Sequence, residues 1–258
     1  MGKIQIAIPC GANSEKYVSF LIETIEKTVS GESELEYLFG ISHSSVDKGY
    51  LDKISSKYSH RNINLIQNEI SSYGHAATLD GLLKRIDSKY AMFIDCDVSM
   101  LTADWDVKMK VTLVDDVVIV GSEYVGNKYR GFPNVVVCMF KTNIIKDLGI
   151  SFLSSTNKVI RTKEEASIYS REIGDTIFLD VGWELPYKIK KGGYSGCVMS
   201  VYNRNNKQAK FMTGGLRGTE YQLGGEVVAS HVGRSLIRNF DTNDVIKSWK
   251  RKTNEWLS

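Results

Sequence analysis

Tyr90-Ala91-Met92-Phe93-Ile94-Asp95-Cys96-Asp97 is an apolar run that ends on two carboxylates. The run reads as a buried strand, and Asp95 and Asp97 stand where that strand leaves its sheet. In open α/β sheets ligands bind outside the carboxyl ends of the strands. Paired aspartates there offer hard oxygen ligands that suit Mg²⁺ or Mn²⁺, and an ion held this way can bridge a diphosphate. The bland alternative for the same residues is a helix N-cap or a turn, since Asp favours both.

Upstream of this strand the pattern alternates. Residues 3–8 read as a strand and 14–29 as an amphipathic helix with Val18, Leu21, Ile22 and Ile25 on one face. Strands over 36–41 and 63–67 flank a helix over 47–58. A helix over 74–86 follows, with Ala77, Leu79, Leu82, Leu83 and Ile86 as its apolar set. This β-α-β-α-β-α-β order implies right-handed crossovers and a mainly parallel sheet. After Asp97 strands and helices mix. Residues 117–121 and 135–140 are strand-like, and 143–148 form a short helix. Residues 172–191 include a helix with Lys188, Lys190 and Lys191 in its last turn, stopped by Gly192-Gly193. A short strand over 226–229 runs into Ser230-His231, and 235–256 read as a C-terminal helix. A strictly βα first half and a mixed second half suit a nucleotide-binding half joined to an acceptor-binding half.

The chain has 258 residues, 42% hydrophobic and 24% charged, which fits one α/β domain with a C-terminal extension. No linker, repeat or low-complexity run divides it. A net charge of +3 is too mild to argue for nucleic acid. The first residues enter a strand pattern directly, without the h-region of a signal peptide. Nowhere do eighteen apolar residues follow one another, so no transmembrane segment is expected. Cys10, Cys96, Cys138 and Cys197 are widely spaced and read as reduced, mostly buried thiols, which predicts a cytoplasmic protein. A homo-oligomer is compatible with all of this.

Other segments carry polar groups suited to chemistry. His231 sits in Ser230-His231-Val232-Gly233-Arg234-Ser235, where an imidazole can complete a carboxylate metal site or meet a diphosphate oxygen; the bland reading is a loop or satisfied core histidine. Asp180 and Glu184 lie four apart around Trp183, a spacing that lets a carboxylate serve as general base beside a ring packed on a sugar. Their bland readings are an N-cap and a salt bridge to Lys188. In Ser72-Tyr73-Gly74-His75-Ala76-Ala77-Thr78-Leu79-Asp80-Gly81, a helix entry that attracts anions, His75 and Asp80 are placed to face a ligand. Residues 203–207 and 212–218 are polar, Gly-rich and basic, which fits a lid over phosphates or a plain surface loop.

Four segments, in order, resemble a GT-A glycosyltransferase close to the family 2 type. These are Ile6-Ala7-Ile8-Pro9 with Asn13, Tyr73 to Leu82, Tyr90 to Asp97, and Glu184 to Tyr194. His231-Val232-Gly233-Arg234-Ser235 also looks like the C-terminal His segment that some members use at the metal. The likeness covers residues 3–100 well and 175–235 less well. It implies an α/β GT-A fold, with a Rossmann-like nucleotide-binding half, a mixed central sheet and helices on both faces. The halves would be residues 1–100 for the nucleotide sugar and 101–235 for the acceptor, with 236–258 as a C-terminal helix.

The activity implied is a metal-dependent inverting transfer of a sugar from a nucleotide-diphosphate donor to an acceptor hydroxyl on a glycan, polysaccharide or glycoconjugate. Asp95, Asp97 and His231 would hold Mn²⁺ or Mg²⁺. Pro9, Asn13, His75, Asp80, Asp95, Arg234 and Ser235 would bind the donor. Where the family carries a Glu-Asp pair before the late helix this chain has Val181-Gly182, so the base role falls to Asp180 or Glu184. Two rivals stay open at this point. One is a HAD-type phosphatase with Asp95 as nucleophile. The other is a non-catalytic nucleotide- or carbohydrate-binding protein that uses Trp183, Tyr187, Tyr194 and Tyr202.

Overall fold

The apolar runs of the first hundred residues form β1 (Gly2–Cys10), β2 (Ser33–Ile41), β3 (Asn62–Gln67) and β4 (Tyr90–Ile94). The computed structural model describes residues 2–11, 14–41, 48–67, 74–123, 131–153, 181–233 and 242–258. Seven successive residues of β1 are buried, as expected of a strand covered on both faces. Side-chain alternation sends Ile4, Ile6, Ile8, Leu35, Tyr37, Phe39 and Met92 into one core, with Val18, Leu21, Ile22 and Ile25 of α1 (Glu15–Thr28). Ile54 of α2 (Lys48–Lys57) joins them. Ala7, Leu38, Ala91 and Phe93 face the second core, under Leu79, Leu82 and Leu83 of α3 (Gly74–Arg85). A Cβ at Gly40 would lie 2.4 Å from Thr78 Cγ2 and 2.8 Å from Leu82 Cδ1, so the missing side chain lets α3 lie directly on β2.

The chain continues through β5 (Val98–Met100), α4 (Trp105–Thr112), β6 (Val117–Ser122), β7 (Val137–Lys141) and α5 (Thr142–Asp147). Then come α6 (Leu185–Lys191), β8 (Ser195–Asn203), β9 (Thr219–Leu223), β10 (Glu226–His231) and α7 (Thr242–Trp256). The strands join in the order β3-β2-β1-β4-β7-β6-β8-β9-β10-β5. The parallel sheet expected from the βα order holds for β3-β2-β1-β4. Beyond β4 only β6–β8 is parallel, and every other described pairing is antiparallel. The sheet is mixed because the second half uses hairpin-type returns in place of helical crossovers.

One feature of this topology places the site. Only residues 95–97 separate β4, in the middle of the order, from β5 at its far edge. The strands β8, β9 and β10 are thereby tied back to the carboxyl end of β4. α7 fastens this return: Trp249 is fully buried, its Nε1 donates to Ser230 Oγ at 2.8 Å, and its ring meets Phe20 edge-on at 5.2 Å. Among the described residues no helix is long and apolar enough to cross a membrane. Cys10, Cys96 and Cys138 are buried, Cys197 is half-buried, and none of the four is joined in a disulfide.

Candidate metal centre

Asp95 and Asp97 form the corner between β4 and β5. Asp95 N–H donates to Val136 O at 2.9 Å, and Val98 N–H closes the turn on Asp95 O at 3.2 Å. The antiparallel ladder of β5 on β10 then sets Ser99 against Ser230 and Val98 against His231. Val232 N–H reaches Asp97 O at 3.1 Å. This pairing joins residues far apart in the chain and brings the imidazole to the aspartates. One ligand atom from each of Asp95, Asp97 and His231 lies within 4.8 Å of the others. His231 Nε2 stands 3.3 Å from Asp97 Oδ1, with Asp97 almost wholly buried. His75, in the first turn of α3, brings its Nε2 to 3.6 Å from Asp95 Oδ1.

The donor set fits a divalent ion. Two carboxylates and an imidazole suit a hard or borderline cation such as Mn²⁺. Asp97 and the bare nitrogen of a neutral His231 are both acceptors, and two acceptors in contact need a proton or a cation between them. The aspartate charge is felt in the second core as well. Burial first, and Asp95 beside it, push the Cys138 thiol up to about 12, so Cys138 is inert filler behind the site.

The other sequence-predicted residues are distributed differently. Pro9 is buried near the end of β1, opposite Gly40 of β2 and past the last β1–β4 pair at Ala7 and Phe93. Both oxygens of Asp80 are engaged away from the centre: Oδ2 accepts Ser151 Oγ–H and Oδ1 accepts Phe152 N–H, each at 2.7 Å. Glu184 precedes α6, accepts Ser151 N–H at 3.0 Å and pairs with Lys188 at 2.6 Å. Trp183 Nε1 donates to Leu153 O at 3.0 Å. Asp80, Glu184 and Trp183 thus converge on the 151–153 segment and hold it in place. Asn13, Asp180, Arg234 and Ser235 lie outside the described residues.

The 212–218 stretch, read as lid or loop, is anchored where it begins. Glu220 is fully buried and accepts the N–H groups of Lys210, Phe211 and Met212 at 2.9, 2.6 and 2.6 Å. Sequence reasoning missed Tyr221, whose hydroxyl lies 3.3 Å from His231 Nδ1, and took Gly218 only as the end of the 212–218 lid or loop, whereas it packs on the His231 carbonyl. The signal for both was present in Leu223-Gly224-Gly225-Glu226, a two-residue hairpin turn with positive φ at both glycines.

The sequence matches no protein-family model and no curated protein. Solved structures do match its fold. A mannosyltransferase from Pyrobaculum calidifontis superposes with a TM-score of 0.55 at 14% identity, over 76% of this chain and 54% of that one. GalNAc-T7 gives a TM-score of 0.52 at 10% identity, over 77% of this chain and 42% of that one. The chain has the GT-A fold. It spans about half the length of these two neighbours. The GT-A fold puts the Asp95–Asp97 corner after the fourth strand, with three βα units before it. A HAD-type phosphatase would instead open its domain on the strand that carries the nucleophile.

Proposed function

We propose that this chain is a metal-dependent glycosyltransferase that moves a sugar from a nucleotide diphosphate to an acceptor hydroxyl with inversion. The observation that supports it is the convergence of Asp95, Asp97 and His231 at the carboxyl end of β4 in a GT-A fold. The fold neighbours give the reading its chemistry. The mannosyltransferase was solved with GDP-Man and Mn²⁺, and GalNAc-T7 with UDP, GalNAc and Mn²⁺.

Asp95, Asp97 and His231 would hold Mn²⁺ or Mg²⁺, which when bound neutralises charge on the leaving diphosphate. His75 is placed to meet the donor beside Asp95. Both oxygens of Asp80 are engaged by the 151–152 segment, and its part in this reading is to hold that wall of the site. The acceptor hydroxyl must lose a proton as it attacks. We assign that base to Asp180, because the Glu184 carboxylate already serves Ser151 N–H and Lys188. Pro9, Asn13, Arg234 and Ser235 complete the donor-binding set. Mainly buried cysteines with no disulfide among them agree with a cytoplasmic setting.

A screen of UDP-, GDP- and dTDP-sugars with Mn²⁺, read by thermal shift and by nucleotide release, tests the proposal. One donor should stabilise the chain only with the metal present. Asp95→Ala and Asp97→Ala should each abolish nucleotide release with unfolding unchanged. Full metal-dependent turnover in either variant would overturn the site assignment. Metal-dependent donor binding without turnover on any acceptor would favour the non-catalytic reading.

A further inference from the structure

A metal-ligating imidazole must present one bare nitrogen, and its other nitrogen decides which one that is. In this chain that other nitrogen is provided for. His231 Nε2 points at Asp97, while Nδ1 lies 3.3 Å from the Tyr221 hydroxyl. Thr219 Oγ1 donates to the same hydroxyl oxygen at 3.2 Å. The Tyr221 and His231 rings stand nearly parallel, 22° apart with centroids at 6.5 Å. Tyr221 is only 4% exposed, so water competes poorly for its side of the contact.

The contact is built by a register shift in β10. Glu226 pairs with Leu223 and Val227 with Gln222, but the next pair is Ala229 with Tyr221. Val228 is therefore an extra residue, a β-bulge of the kind that re-aims side chains near sites. Side chains alternate along a strand, so the bulge moves residues 229–231 to opposite faces from those an unbroken ladder would give. Ala229 and His231 then share a face with Thr219 and Tyr221. Ser230 turns the other way, to Ser99 at 2.7 Å and Trp249 at 2.8 Å. An unbroken ladder would leave His231 on the face of Glu220 and Gln222, away from Tyr221. Val228 O is itself tied down by Leu101 N–H at 2.9 Å. Tyr221 and His231 become diagonal cross-strand neighbours, within the reach of aromatic side chains.

We propose that Tyr221 is a positioning residue for His231: it accepts the Nδ1–H hydrogen bond, fixes that tautomer and aims Nε2 at the metal position beside Asp97. The inference rests on the metal reading above. Tyr221→Phe removes one oxygen and keeps the ring. Two measurements test it: Mn²⁺ affinity by spin-resonance titration, and thermal unfolding. Mn²⁺ binding should weaken roughly ten- to a hundred-fold, the usual cost of removing a partner behind a metal-bound histidine, while the unfolding midpoint holds. In a His231→Ala background Tyr221→Phe should add no further loss, since it acts through the imidazole. Unchanged Mn²⁺ affinity in Tyr221→Phe, in a wild type that binds Mn²⁺, would overturn the inference alone. A wild-type protein that takes no Mn²⁺ would overturn the metal reading and the inference together.

Discussion

Glu220→Gln should be among the most damaging isosteric changes in this chain. Oε2 accepts Phe211 N–H and Met212 N–H, and Oε1 accepts Lys210 N–H and the Gln222 side-chain amide, in a site closed to solvent. A glutamine has the same volume but one acceptor oxygen. Its NH₂ must face at least one pair of donors, so two hydrogen bonds to a charged group are lost and their N–H groups stay buried. At about 1.5–3 kcal/mol for each such bond, the loss is about 3–6 kcal/mol. Relief from burying a charge offsets part of this, so the lower end is the better expectation. A domain's whole stability is roughly 5–15 kcal/mol. Urea unfolding at neutral pH should show a lower midpoint with an unchanged slope. A loss below about 1 kcal/mol would refute the reasoning, because it would mean that the displaced pair of donors finds other partners at little cost.

Asp106 should set part of the acid limit. Burial alone would push its carboxyl up, but hydrogen bonds from Ser33 and from the N–H and hydroxyl of Ser30, with the Lys110 charge, hold it below its ordinary 3.8. The unfolded chain therefore takes up this proton first. The stabilisation is complete above the ordinary value and disappears as pH falls through the lowered one. In Asp106→Asn, unfolding curves taken at descending pH should fall less steeply below about pH 4; an unchanged acid limb would count against the assignment. Gly218 has φ of +127°, and a Cβ there would sit 2.5 Å from His231 O and 3.2 Å from Val232 Cα. Gly218→Ala should cost about 1–3 kcal/mol and weaken Mn²⁺ binding by displacing the end of β10. Wild-type affinity in a calorimetric titration of that variant would show that His231 is not held by this contact.

What the chain discloses before folding depends on where each residue gets its environment. β1, β2 and β4 were legible because strands buried on both faces are near-continuous apolar runs, interrupted where Gln5 of β1 donates to Glu36 of β2. β9 was not, because its inner face carries Glu220 and Gln222, whose polar atoms are satisfied by a loop that only the fold supplies. β5 has three residues, too few for any period to register. The Asp95–Asp97 pair is local and could be read; its meeting with His231 depends on a ladder between strands more than a hundred residues apart. Tyr221 lay deeper still. Its role follows from the Val228 bulge, and no propensity marks which residue of a strand will be the extra one. The bulge needs Leu101 N–H for Val228 O, and Leu101 follows directly on β5. The strand that carries the chain away from the aspartates thus also fixes the register that turns His231 back toward them. A change that loosens β5 should therefore weaken the centre from both sides at once, through Asp97 and through the aim of the imidazole.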